Sequence, residues 1–200
     1  MYHLSKVAIL IDGGFFITRF RSINKQDPKI SDIEPFIQAT LNQVQKLTGP
    51  NTTDCLYRTY FYHCSPYGGQ HTDPAGKITD FSKSKVFRAS SGFLKGLKTH
   101  PQLALRLGEL SFDGWKVDPK NASNYLPDFK QKSVDMKIGL DIAWMASKRL
   151  VDKLVIVTGD SDFIAPMKLA RKEGILVYLH VMNQRMIKPA LIEHADFIIT

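Results

Sequence analysis

Acidic residues are in short supply in this 200-residue chain: 19 Asp and Glu stand against 27 Lys and Arg, a formal charge of +8 at pH 7. Cysteine is scarcer still. Cys55 and Cys64 lie nine positions apart with no paired Cys or His at zinc-ligand spacing nearby, which argues against a disulfide-stapled scaffold or a zinc finger. Both thiols are expected to be free and buried in a reducing compartment. Long apolar runs are also missing. Val7–Ile11 spans only five residues, against the ~20 that a membrane helix needs, so the chain is expected to be soluble and cytoplasmic, with no membrane partner. There is no internal repeat and no GxGxxG pattern, which removes repeat arrays and the dinucleotide-binding fingerprint.

What is present is the composition of a globular domain, 44% hydrophobic and 10% aromatic, long enough to bury a core without staples. The positive charge is unevenly placed. Between Lys77 and Lys132 eleven Lys and Arg face five acids, Asp80, Glu109, Asp113, Asp118 and Asp128, so this segment carries most of the excess. Such a region attracts polyanions; a solvated basic face is the plain alternative.

Val7–Ile11 is a continuous, largely β-branched apolar run, the pattern of a strand buried on both faces of a parallel sheet, and it ends at Asp12-Gly13-Gly14. The 3.6-residue period from Asp32 to Leu47 predicts a helix stopped by Gly49-Pro50, and Leu56–His63 reads as a strand. Ser65–Lys77, rich in Pro and Gly, reads as a loop. A basic helical segment over Phe81–Thr99 is expected to break or fray at Ser90-Ser91-Gly92 and Gly96. Its cations Lys85, Arg88 and Lys95 are candidate nucleic-acid contacts; the neighbouring Phe81, Phe87 and Phe93 suit either base stacking or a helix core. Leu103–Phe112 carries competing helix and strand signals, and Val117–Asp128 reads as a loop. The last third is clearer: helix Val134–Leu150, strand Leu154–Val157, helix Phe163–Glu173, strand Ile175–His180, a short helix end at Ala190–His194 and a closing strand Phe197–Ile199. Strand, helix and strand with short connections form a parallel βαβ unit.

Ligands of open α/β sheets sit beyond the carboxyl ends of the strands. Two apolar strands deliver aspartates there: Asp12 after Val7–Ile11, and Asp160 with Asp162 after Leu154–Val157. If these strands are neighbours, three carboxylates face one spot, which costs stability unless a cation lies between them. A hard divalent cation such as Mg²⁺ suits such oxygen ligands. Each residue also has a structural reading. Asp135 opens a helix, where its charge complements the dipole, Asp162 can cap the next helix, and Gly13-Gly14 can form a tight turn. Asp141, six residues after Asp135, lies about 120° away around the helix. An aspartyl-phosphate phosphatase would need an acid two residues after Asp12, and Gly14 stands there.

Three stretches, Ile11-Asp12-Gly13-Gly14, Lys132-Ser133-Val134-Asp135 with Asp141, and Thr158-Gly159-Asp160-Ser161-Asp162-Phe163 ahead of Pro166, together resemble the NYN domain family, PIN-like ribonuclease relatives that include the LabA-like proteins. Ala195-Asp196-Phe197 is a weaker echo. The resemblance implies one domain over residues 1–200, a PIN-like three-layer α/β/α sandwich with a central mostly parallel sheet, carrying a basic variable insert around residues 65–130. It implies RNA as partner and RNA cleavage dependent on Mg²⁺ or Mn²⁺, with Asp12, Asp135, Asp160 and Asp162 as metal-binding and catalytic residues and Asp141 and Lys132 as accessories, Lys132 against the scissile phosphate. In one respect the chain departs from the family: Phe15 stands where many relatives have Asn. That departure admits an alternative, a catalytically weak or inactive nucleic-acid or protein-binding module with a retained acidic pocket. Oligomeric state is not readable from the chain.

Overall fold

The computed structural model describes residues 3–48 and 51–200. β1 (His3–Asp12) occupies the middle of the molecule, and Val7–Ile11 are fully buried, as a strand sandwiched between two helical layers requires. Asp12 ends the strand and immediately caps α1 (Gly13–Asn24), its carboxylate accepting from the backbone N–H groups of Gly14 and Phe15. A short 3₁₀ turn leads into α2 (Ile33–Thr48); the Gly49-Pro50 stop expected for it lies outside the described residues. β2 (Thr52–Cys64) then pairs in parallel with β1.

The middle third departs from the sequence-based expectations. Ser65–Lys77 is not wholly a loop, because Gln70–Thr72 (β3) pairs with Ile78–Asp80 (β4) in a small antiparallel hairpin. A 3₁₀ turn over Phe81–Lys83 precedes α3 (Lys85–Lys98), which runs unbroken through Ser90-Ser91-Gly92 and Gly96, capped by Ser84 and anchored by the buried Leu94 and Leu97. β5 (Leu103–Asp118) and β6 (Asn121–Lys132) form a long antiparallel hairpin, so the expected loop at Val117–Asp128 is mostly strand. Its Asn, Pro and Asp residues disfavour a strand locally; cross-strand pairing with β5 and the packing of Phe129 against Phe112 override that preference.

α4 (Val134–Ser147), β7 (Lys153–Val157), a 3₁₀ turn at Ser161–Phe163, α5 (Ile164–Lys172), β8 (Leu176–His180), α6 (Pro189–Glu193) and β9 (Phe197–Ile199) complete the chain. β7 and β8 pair in parallel, as the βαβ pattern predicts, and β9 adds to them.

Among the described residues, seven strands form one sheet in the order β6-β5-β2-β1-β7-β8-β9, parallel except for β5–β6. Alternate side chains of the sheet enter two cores. Val7, Ile9 and Ile11 join Phe16, Ile33, Ile37 and Leu97 on one face, while Ala8 and Leu10 join Ile138, Ile142, Met145 and Met167 on the other. The result is the expected α/β/α sandwich around a mostly parallel sheet. No described helix is long and apolar enough to cross a membrane. Cys64 is buried but Cys55 only half-buried, and both are free.

Candidate active site

From β1 the chain proceeds to β2 on one side, whereas the later strand β7 lies on the other. The gap between the carboxyl ends of β1 and β7 is therefore a topological switch point, where helices leave the sheet in opposite directions and open a crevice. Ile11 is level with Val157. Asp12 and the Thr158-Gly159-Asp160 turn thus project from neighbouring strands into the same gap, the juxtaposition the sequence left conditional.

The Asp12 carboxylate is divided in its duties. Oδ1 accepts from Gly14 N at 3.0 Å and Phe15 N at 3.2 Å, and Oδ2 has the Thr158 hydroxyl at 3.5 Å. Thr158 is fully buried, and its Oγ1 accepts from Asp160 N at 3.1 Å, so one hydroxyl links the two acid-bearing turns. Asp160 Oδ1 accepts from Asp162 N and caps the turn that opens α5. Asp135 sits in the first turn of α4, brought to the carboxyl end of the sheet by Ser133 in a left-handed conformation (φ 67°) at the exit from β6.

Burial pushes the Asp12 carboxyl above its ordinary pKa; the N–H donors Phe15 and Gly14 pull it back, and the charges of Asp135 and Asp160 push it up again. Asp135 is also raised, by partial burial and then by the charges of Asp160 and Asp162. The four acids named from sequence therefore share one electrostatic neighbourhood. They do not form a closed cage: among the described residues no three His, Cys, Asp or Glu side chains are grouped to hold a metal ion.

The crevice is a cleft of about 360 Å³ lined by Asp12, Phe15, Gly159, Asp160, Gln184 and Lys188. Phe15 has a packing role that its sequence position did not disclose. A Cβ on Gly159 would lie 2.8 Å from the Phe15 ring and 2.7 Å from the Gln184 amide oxygen, so the ring closes over Gly159 and joins the β1 turn to the β7 turn. Gln184 and Lys188 were missed by sequence reasoning. They arrive on the segment after β8, another strand ending at this edge, and Lys188 donates to the Ser161 hydroxyl at 2.7 Å. Strand-end position was the signal available for them; a motif was not.

The accessory candidate Asp141 and the Asp196 of the weaker echo stand apart. Asp141 accepts from the Tyr62 hydroxyl at 2.8 Å and Arg106 Nε at 3.1 Å, a structural network on the other side of α4, consistent with its angular offset from Asp135. Asp196 pairs with Arg171 and accepts from Val177 N. Lys132 is exposed at the end of β6, one residue after Gln131, whose amide nitrogen lies 3.8 Å from where a Cβ on Gly14 would stand. On α3, Lys85, Arg88 and Lys95 make no ion pair among the described residues, whereas Lys83, Lys116 and Lys130 are paired with Asp80, Asp128 and Asp113.

An α/β domain with carboxylates converging on its switch point is the class that fold and site define. Residues 102–200 match the family model described as NYN domain. NYN is a family of the PIN-like superfamily, and the match suggests a nuclease-like fold for this stretch. The match begins at the start of β5 and contains Asp135, Asp160 and Asp162 but not Asp12. Among solved structures, a protein of unknown function from Vibrio parahaemolyticus superposes with a TM-score of 0.50 at 16% identity, over 98% of this chain and 93% of that one; the likeness concerns the fold alone. No curated protein matches the sequence.

Proposed function

We propose that the chain is a divalent-metal-dependent nuclease acting on RNA, with Asp12, Asp135, Asp160 and Asp162 as its acidic centre and residues 1–200 as a single catalytic domain. The observation that carries this reading is the placement of Asp12 and Asp160 on adjacent strand ends, joined through Thr158, at the switch point of an NYN-type fold.

The donor set fits a hard cation. Mg²⁺ keeps several waters and is held by one or two protein carboxylates with substrate phosphate completing its shell, so the lack of a three-residue cage is compatible with it. Asp12 Oδ2, half-free of hydrogen bonds, and the Asp160 carboxylate are the residues that would hold it, with Asp135 and Asp162 acting directly or through water. Once bound, Mg²⁺ or Mn²⁺ supplies Lewis-acid polarisation of the phosphate and an activated water. The chain's own residues do the positioning. The Gly14 and Phe15 N–H groups fix Asp12 Oδ1, Thr158 sets the spacing to Asp160, and Lys188 and Lys132 offer positive charge to a phosphate. Phe15 walls the cleft against bulk water on one side.

A chelator experiment tests the metal reading directly. Asn can accept the same backbone N–H groups as Asp, so Asp12→Asn keeps the α1 cap while removing a buried like charge. In EDTA the variant is expected to melt above the parent, because the parent retains the uncompensated repulsion. Millimolar Mn²⁺ reverses the order, since binding stabilises only the protein that holds the ion. A parent whose melting temperature ignores Mn²⁺ would favour the binding-module alternative.

RNA recognition rests on the cations of α3. Changing Lys85, Arg88 and Lys95 together to Gln is expected to weaken single-stranded RNA binding and to flatten the log–log salt dependence by about 0.7 for each phosphate no longer neutralised. An unchanged slope in a salt titration would place the RNA path elsewhere on the surface.

A further inference from the structure

The carboxyl end of β2 faces a second, larger space. The outer half of the β5–β6 hairpin and the β3–β4 hairpin rise beyond the sheet, tied by a hydrogen bond from Trp115 Nε1 to the Thr72 carbonyl at 2.9 Å. Between them and the start of α3 lies a chamber of about 480 Å³. Its walls are aromatic: Tyr67, Phe81, Phe87 and Phe129 line it, the first two and Phe129 belonging to a ring cluster with centroid separations of 5.3–5.9 Å. Volume and lining are those of a ligand pocket, predominantly apolar with a few polar groups.

Two of those polar groups lie beside the glycines that follow Asp12. His63 lines the chamber, and its Cβ is 3.1 Å from where a Cβ on Gly13 would stand. Its Nδ1 is buried with no hydrogen-bond partner among the described residues, a costly state for a protein to maintain without return. Gln131 also lines the chamber. Its amide nitrogen and Asp12 Oδ1 flank the same point beside Gly14, at 3.8 and 3.4 Å. Chamber and carboxylates therefore share a wall. Val86 and Ser90 of α3 also line the chamber.

Resting on the phosphodiester reading of the acidic centre, we propose that this chamber is a nucleobase pocket. It takes one unpaired base of a strand whose backbone passes Asp12. The rings of Phe81 and Phe129 supply stacking surface, and the His63 imidazole and Gln131 amide supply hydrogen-bonding groups for the base edge. Unpaired bases are bound in this way, by π-faces inside a positively charged path. Position favours a base over an apolar peptide: the chamber adjoins a centre suited to phosphate, which an apolar side chain does not use.

The test is equilibrium binding of a fluorescent 12-nucleotide oligo(A) in EDTA, where no cleavage occurs. Phe129→Ala removes a stacking face. Val86→Trp plugs the mouth from an exposed helix position (73% exposed) and leaves the packed rings in place, which covers the case that Phe129→Ala folds poorly. Both are expected to bind about 10-fold more weakly, the effect of one stacked base, with an unchanged salt slope. An abasic sugar–phosphate strand of the same length should bind the parent and Val86→Trp equally. Parental affinity for oligo(A) in Val86→Trp overturns the proposal and leaves the chamber to another occupant, such as an apolar segment of a protein. The metal reading fails separately: if Mn²⁺ leaves the melting temperature unmoved while both variants still lose oligo(A) affinity, the pocket stands and the nuclease does not.

Discussion

Asp12→Asn is expected to reduce Mn²⁺-dependent cleavage of single-stranded RNA by more than about 100-fold, at or beyond the upper end of what loss of a group supporting a metal ligand costs. The folded state should survive, because both backbone donors at the start of α1 keep an acceptor. Asp160→Asn should behave alike for the same reason: its amide oxygen can still take the Asp162 N–H, and what is lost is charge. Asp141→Asn is the internal control. Its partners are Tyr62 and Arg106 rather than the other acids, so it should lower stability while leaving metal-dependent cleavage near the parental rate. A time course of labelled RNA with purified proteins, each checked for folding by circular dichroism, separates these cases. Cleavage by Asp12→Asn at the parental rate would remove the acidic centre from the chemistry and leave the domain as a binding module.

How far these positions are legible in the sequence depends on which interactions set them. Asp12 and Asp160 are readable because buried parallel strands announce themselves as unbroken apolar runs, and ligand sites of such sheets lie just past their ends. The adjacency of β1 and β7 is not readable; it is fixed by crossovers involving residues far apart in sequence. α1 has no local signature. Gly13-Gly14 followed by aromatic and β-branched residues has poor helix propensity, and the helix exists because Asp12 caps it and Phe16 packs between Phe36 and Phe61. β6 reads as a loop on local chemistry that tertiary pairing overrides. The aromatic chamber follows from that same override, since Leu110, Phe129 and Gln131 reach its wall only through a hairpin the local sequence disguises.

Lys153→Met is expected to cost about 3–5 kcal/mol, the usual effect of stranding a buried charge, which for a domain of this size corresponds to a melting point roughly 10 °C lower. Lys153, at the start of β7, is paired with Asp54 of β2, and their side chains are 4% and 1% exposed. Thr48 Oγ1 donates to the same carboxylate and accepts from the lysine. β2 and β7 are not adjacent: β1 runs between them, with Ser5 level with Asp54 and Val7 level with Lys153. The pair thus clasps the strands on either side of β1 at the amino end of the sheet, while Asp12 and Asp160 emerge at the other end. Adding Asp54→Leu to Lys153→Met removes the orphaned carboxylate, and because the one Thr48 hydroxyl proton can turn to the Val44 carbonyl, 2.8 Å away, most of the lost stability should return. Chemical denaturation of the parent, single and double variants measures this directly; a double variant as unstable as the single would mean that the charge was not the cause. In the double variant the melting shift produced by Mn²⁺ should match the parent's, because the clasp acts on strand register and the carboxylates at the far end of β1 act on the metal.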